Sequence, residues 1–175
     1  MKRILLVVDM VNDFVDGSLG TKEAVAIVPA VIAKIKEYEA NGDEIVFLRD
    51  THEENYLDTQ EGKFLPVKHT IRDTNGWLVA DEIRKVCDTQ NYLNLEKNTF
   101  ACVALKDYLE KLDEPFEVEL VGVCTGICVI SNAFFIKGYY PEAKIVVDSA
   151  CCACVTQEAH ERALEAMKLC HIIVK

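Results

Sequence analysis

Short apolar runs alternate with amphipathic stretches along this chain. Ile4 to Val8 is a continuous apolar run bounded by charge, the pattern of a strand buried on both faces. From Glu23 to Ala40, Val25, Val28, Ile32, Ile35 and Tyr38 recur at spacings of three and four, and Asn41-Gly42 closes the pattern as a helix C-terminal signal. The alternation continues as strand Glu44 to Leu48, helix Val79 to Val86, strand Tyr92 to Leu95, helix Cys102 to Leu112, strand Val118 to Val123 and a helix beginning near Thr125. Lys144 to Val147 is a further strand, Thr156 can cap an amphipathic helix through Met167, and His171 to Val174 is a last strand. Six strands with intervening helices predict βαβ units, hence an α/β fold: a doubly wound three-layer α/β/α sandwich around a mostly parallel six-stranded sheet. In such a sheet ligands bind at the strand C-termini. The long polar interruption from Arg49 to Trp77 exceeds the length of an idle loop and is the candidate functional segment.

The 175 residues fit one domain spanning 1–175, with no repeat or linker to divide it. Half of the residues are hydrophobic, a core-rich balance. Lys and Arg total 19 against 29 Asp and Glu, giving −10, which argues against nucleic-acid or anionic-membrane partners and for a small-molecule one. No apolar stretch is long enough to span a bilayer, so a soluble protein is expected. The opening MKRILLVVDM lacks the features of a secretory signal, which points to the cytoplasm. There the 8 cysteines are expected to be buried thiols rather than disulfides, with one reactive member at most. Cys151, Cys152 and Cys154 match no common zinc spacing and are expected to pack, as are Cys87, Cys102 and Cys170 in or beside helices.

Three strand ends carry residues with chemical potential. Asp9 follows the first apolar run, where a half-buried carboxylate is suited to proton transfer; a strand-ending or capping aspartate is the plain alternative. This junction lacks the G-x-G-x-x-G of dinucleotide-binding folds. After Val118 to Val123 comes Cys124-Thr125-Gly126-Ile127-Cys128-Val129. Cys128 falls in the first turn of the predicted helix, where unpaired N–H groups and the positive dipole end favour a thiolate and can hold an oxyanion. Cys124 sits at the turn itself, where its backbone N–H is the more useful group, and either cysteine can also be packing. Lys97 follows the strand Tyr92 to Leu95 and can keep a nearby carboxylate ionised and lower a thiol pKa; by itself it also reads as a surface lysine.

The long segment holds Asp50, His52, Glu61 and His69, a mixed nitrogen and oxygen set without thiolate. It suits a first-row divalent ion with open positions, zinc, manganese or iron, although a solvated acidic loop has the same composition. His160 and His171 are expected to be structural.

Together these residues resemble the cysteine hydrolases of the isochorismatase-like superfamily, and among them most closely the nicotinamidases. Asp9-Met10-Val11-Asn12-Asp13-Phe14 is similar to the family's D-x-Q/N-x-D-F, Gly122-Val123-Cys124-Thr125-Gly126-Ile127-Cys128-Val129 to its G-V-x-T-x-x-C-V, and Lys97 falls at its lysine. The likeness spans nearly the whole chain. It implies Cys128 as nucleophile, Asp9 as general base and Lys97 as the third catalytic member. It implies an oxyanion hole of the Cys124 and Cys128 amides, with a cis peptide between Val123 and Cys124. It also implies Asp50, His52, Glu61 and His69 as ligands of a divalent metal, zinc foremost, that holds the pyridine nitrogen of nicotinamide. Hydrolysis of nicotinamide to nicotinate and ammonia, a step of NAD salvage, and a homo-oligomer are further implications. Two departures bear on the substrate. Leu65-Pro66-Val67-Lys68-His69 stands where many nicotinamidases have an aromatic-Pro-Pro-His run, and Asn98-Thr99-Phe100-Ala101 replaces Tyr-Ser-Ala-Phe. Phe14, Leu65 and Phe100 are then the expected walls of the substrate site. Other readings are an amidohydrolase of another small amide, an N-carbamoyl or ureido compound, and a non-catalytic thiol- or metal-binding module. Isochorismate-type vinyl-ether hydrolysis is disfavoured, because that branch does not use the cysteine.

Overall fold

A computed structural model describes residues 1–175. The strands are β1 (Lys2–Val8), β2 (Glu44–Asp50), β3 (Leu93–Lys97), β4 (Phe116–Val123), β5 (Lys144–Ala153) and β6 (Ile173–Val174). They form one sheet in the order β3-β2-β1-β4-β5-β6, and every neighbouring pair is parallel. The helices are α1 (Asn12–Val15), α2 (Lys22–Asn41), α3 (Gln60–Phe64), α4 (Asp81–Arg84), α5 (Ala104–Glu110), α6 (Ile130–Tyr139) and α7 (Gln157–Leu169). No helix is long and apolar enough to cross a membrane.

Period-two alternation along the strands builds two cores. Leu5 and Val7 of β1 join Ile45 and Phe47 of β2 beneath Val28, Val31 and Ile35 of α2 and Ile83 of α4. Ile4, Leu6 and Val8 face the other way, beneath Leu105 and Leu109 of α5, Ile136 of α6 and Met167 of α7. The central strands are therefore apolar on both faces, which is why Ile4 to Val8 reads as an unbroken run. Thr21 caps α2 by accepting the Ala24 N–H at 3.0 Å, and Gly42 ends the helix in the left-handed region. Thr156 caps α7 in the same way. β4 lies so close to β1 that a Cβ on Gly122, whose φ is +117°, would stand 2.0 Å from the Val8 carbonyl oxygen. Only glycine fits there.

Several boundaries differ from the sequence pattern for identifiable reasons. The helix expected over Val79 to Val86 is reduced to α4, because Val79 pairs its backbone with Val11 and the Ala80 N–H donates to the Met10 carbonyl. The Arg49 to Trp77 segment is ordered: β2 runs on to Asp50, and a turn at Tyr56–Asp58, α3 and a turn at Asn75–Trp77 follow. β5 continues past Val147 to Ala153 through an irregularity in its pairing with β4, so Cys151 and Cys152 belong to the strand. Cys170 is exposed at the end of α7 rather than packed, and His171 is exposed with a φ of 62° before a two-residue β6.

Candidate active site

Four adjacent strands each deliver one polar residue to the same end of the sheet. Lys97 is the last residue of β3, and its register partner Asp50 is the last of β2. Asp9 follows β1, and Cys128 lies in the π-helical turn Thr125–Val129 that joins β4 to α6. All four are buried. Lys97 Nζ lies 2.8 Å from Asp9 Oδ2, 3.2 Å from Asp50 Oδ1 and 3.5 Å from Cys128 Sγ. The Cys128 thiol faces the Asp9 carboxylate, whose Oδ1 accepts the Asp50 N–H at 2.7 Å. Asp9 has a φ of 53°, an uncommon conformation that aspartate tolerates better than most side chains.

Burial governs the electrostatics. It pushes the Asp9 carboxyl above its ordinary pKa, Lys97 pulls it back, and the charge of Asp50 pushes it up again. Burial opposes the Lys97 charge too, but Asp9, Cys128 and Asp50 outweigh it and raise the ammonium well above its usual value. For Cys128, burial and Asp9 push the thiol well above the ordinary range, and Lys97 offsets them only in part. An Asp9 carboxylate paired with Lys97 beside a buried thiol is an arrangement suited to transfer of the thiol proton.

Asp50 also faces a second cluster. Its Oδ2 lies 3.1 Å from His52 Nε2 and 3.4 Å from His69 Nε2, and one ligand atom from each of the three residues falls within 4.8 Å of the others. His69 Nδ1 is 2.8 Å from the Val67 carbonyl oxygen, which accepts only if the proton is on Nδ1 and leaves the Nε2 lone pair free. His52 Nε2 is buried and makes no hydrogen bond. A buried bare imidazole nitrogen facing a carboxylate and a second imidazole fits a divalent metal. Glu61, on α3, stands at the edge of the cluster, 3.8 Å from His52 Nε2 and 3.9 Å from His69 Nε2.

An apolar cavity of about 380 Å³ opens beside these groups. Phe14, Leu65 and Phe100 line it, with Cys124, Ile127, Cys154 and Val155, while Thr21, Glu61 and His69 form its polar side. Phe14 stands with its ring centroid 5.4 Å from that of His69. The Val123–Cys124 peptide is cis. His52, Glu61 and Lys97 also border a polar cavity of about 530 Å³.

Several supporting residues carry no sequence signal. Thr70, with a φ of 45°, donates its Oγ1 hydrogen to Asp50 Oδ2 at 2.9 Å and its N–H to Asp13 Oδ2 at 2.7 Å. Tyr56 is fully buried against both histidine rings and donates to the Leu65 carbonyl. Asn132 of α6, also fully buried, donates to the carbonyls of Cys128 at 2.8 Å and Phe100 at 3.1 Å and accepts the Cys102 N–H at 2.8 Å. It ties the turn of Cys128 to the segment that supplies Phe100. His160 lies apart from both clusters, with Nδ1 2.8 Å from Thr125 Oγ1.

The isochorismatase domain family matches residues 3–174. A relative from Bacillus subtilis, described as the uncharacterized isochorismatase family protein PncA, is 33% identical over 173 residues, covering 94% of this chain and 93% of the relative. The solved nicotinamidase/pyrazinamidase PncA of Bacillus subtilis superposes with a TM-score of 0.88 at 27% identity over 99% of each chain. The pyrazinamidase of Pyrococcus horikoshii, solved in complex with zinc, gives 0.85 at 26% identity over 100% of this chain and 99% of that one. An N-carbamoylsarcosine amidase of Thermoplasma acidophilum gives 0.79 at 26% identity, over 100% and 96%.

Proposed function

The chain belongs to the isochorismatase family of hydrolases, and on that premise we propose that it is a cysteine amidohydrolase whose substrate is nicotinamide or a closely similar neutral heteroaromatic amide. The observation that carries this reading is the position of Lys97 Nζ, 2.8 Å from Asp9 and 3.5 Å from Cys128 Sγ, beside the Asp50, His52 and His69 cluster. Asp9 takes the thiol proton as Cys128 Sγ attacks the carboxamide carbon. The backbone N–H groups of Cys124 and Cys128 hold the tetrahedral oxyanion. Asp9 returns the proton to the departing nitrogen, and ammonia leaves a thioester on Cys128. Asp9 then deprotonates the water that attacks this thioester, and the carboxylate is released with the thiol restored. Lys97 keeps Asp9 ionised between the proton transfers.

Asp50, His52 and His69, with Glu61 at the edge, would hold a divalent metal, zinc foremost. Such an ion supplies Lewis-acid attraction for a ring-nitrogen lone pair. The cavity supports a neutral ring: 11 of its 14 lining residues are hydrophobic, and they include no lysine or arginine to pair a carboxylate-bearing N-carbamoyl compound. Ammonia release from nicotinamide, measured beside N-carbamoylsarcosine and with the Cys128→Ala variant, tests the assignment. Hydrolysis of nicotinamide that vanishes in the variant is the expected result. Turnover that persists in Cys128→Ala overturns the mechanism, and preference for the N-carbamoyl compound overturns the substrate class.

A further inference from the structure

Cysteines adjacent in sequence are not adjacent in space in this molecule. Cys151 and Cys152 share β5 but point to opposite faces, Cys151 into the core beneath α2 and Cys152 into the core beneath α6 and α7. No ligand can bridge that pair. Cys154, just beyond the strand, turns toward the junction after β4 instead. Its Sγ lies 3.4 Å from where a Cβ on Gly126 would be, and its thiol neighbours that of Cys124. Both cysteines line the apolar cavity.

We propose that Cys124 and Cys154 form a dithiol site in the cavity wall that captures trivalent arsenicals and other soft electrophiles able to bridge two sulfurs, and that its occupation shuts the cavity. That this cavity is the substrate site rests on the function proposed above. With phenylarsine oxide the step forms two As–S bonds and breaks the bond between arsenic and the oxide oxygen. Both thiol protons leave with that oxygen as one water, and nothing is oxidised or reduced. Once one sulfur has reacted, the other is already in place, so the second bond forms without the entropic cost of bringing two molecules together. Burial and the neighbouring Cys154 push the Cys124 thiol up to about 12. Simple alkylation of this thiol, which needs the thiolate, is therefore slow at neutral pH, and bridging is the reaction that singles the pair out.

Phenylarsine oxide added to the full chain and followed by native mass spectrometry tests the site. A single adduct is expected, reversed by 2,3-dimercaptopropanol and resistant to an equal concentration of a monothiol. Affinity should fall at least tenfold in Cys154→Ser and in Cys154→Ala, the latter keeping the wall apolar, and stay unchanged in Cys151→Ser. Full-affinity binding to a folded Cys154→Ala, or its loss in Cys128→Ser with Cys154 intact, overturns the proposal. Cavity closure is read separately by the dye 8-anilinonaphthalene-1-sulfonate or by nicotinamide as competitors for the adduct: free access of both in the loaded protein overturns closure. Because the adduct is read by mass, failure of the amidase reading is distinguishable from failure of the dithiol site.

Discussion

The Lys97 ammonium lies 3.2 Å from Asp50 Oδ1, on the carboxylate whose other oxygen faces His52 and His69. One lysine thereby touches both the Asp9 and Cys128 pair and the Asp50, His52 and His69 cluster. Asp50 is held well below the usual carboxylate range: burial acts against its charge, but both histidines and Lys97 outweigh it. The two clusters are electrostatically one unit.

Lys97→Met should therefore damage more than turnover. It leaves the buried carboxylates of Asp9 and Asp50 without their cation, a loss on the order of 3–5 kcal/mol. Urea denaturation is expected to show this loss, and adding Asp9→Asn should recover part of it. A Lys97→Met protein as stable as the parent would mean that the three groups are not coupled.

The pH profile has a defined sign. Turnover requires ionised Asp9, whose pKa is raised by burial and by Asp50 against the pull of Lys97. The acid limb of kcat/KM should fall above the ordinary aspartate value of about 3.9, as a property of the coupled group. Between the unfolded and folded pKa values the native state binds the Asp9 proton more tightly, so this group lowers stability as pH rises through that window. Lys97 acts at the other end. Its raised pKa gives a contribution fully present below about 10.4 and lost as pH climbs through the folded value. Pulse alkylation should likewise find Cys128 slow near neutrality and faster with rising pH.

Metal affinity should depend on a residue that touches no metal. Thr70→Val removes the donor to Asp50 Oδ2 and is expected to weaken zinc binding by roughly 10–100-fold. Competition with a chromophoric chelator measures this. His52→Ala should lose the ion outright, whereas equal affinity in all three proteins would remove zinc from this cluster.

Asn132 offers a test of positioning. Asn132→Leu strands the Cys102 N–H and the carbonyls of Cys128 and Phe100, at about 1–3 kcal/mol for a buried unsatisfied group. A purely structural role would lower stability and leave the kinetics of the folded fraction intact. The expected result is a lower kcat per folded molecule together with a higher KM, because the nucleophile turn and the Phe100 wall share this one carboxamide.

The six strands, their parallel sheet and the residue types at the strand ends were legible because they follow from local pattern: unbroken apolar runs, a lysine or aspartate at a strand end, two histidines with carboxylates in one segment. Supporting residues such as Thr70 and Asn132 were not legible. Their partners come from distant segments, and a threonine or asparagine carries no mark of what it will meet. Val79 misled for a related reason: helical periodicity continued through it, but its backbone found the edge offered by Val11. Cys128 showed a different limit. Its position at a helix start was readable, but the burial and the facing carboxylate that push its thiol up exist only in the folded chain.

The site is also a gauge of alignment. Lys97, Asp50, Asp9 and Cys128 come from four neighbouring strands, with Lys97 opposite Asp50 and Val8 opposite both Leu48 and Gly122. A slip of one residue in any of these pairings would turn a reacting group to the opposite face of the sheet, while apolar runs buried on both sides would still find a core. Misthreaded molecules of this chain can thus be as compact as correct ones and still be silent, and specific activity in a refolding experiment counts the fraction whose strands have locked in step.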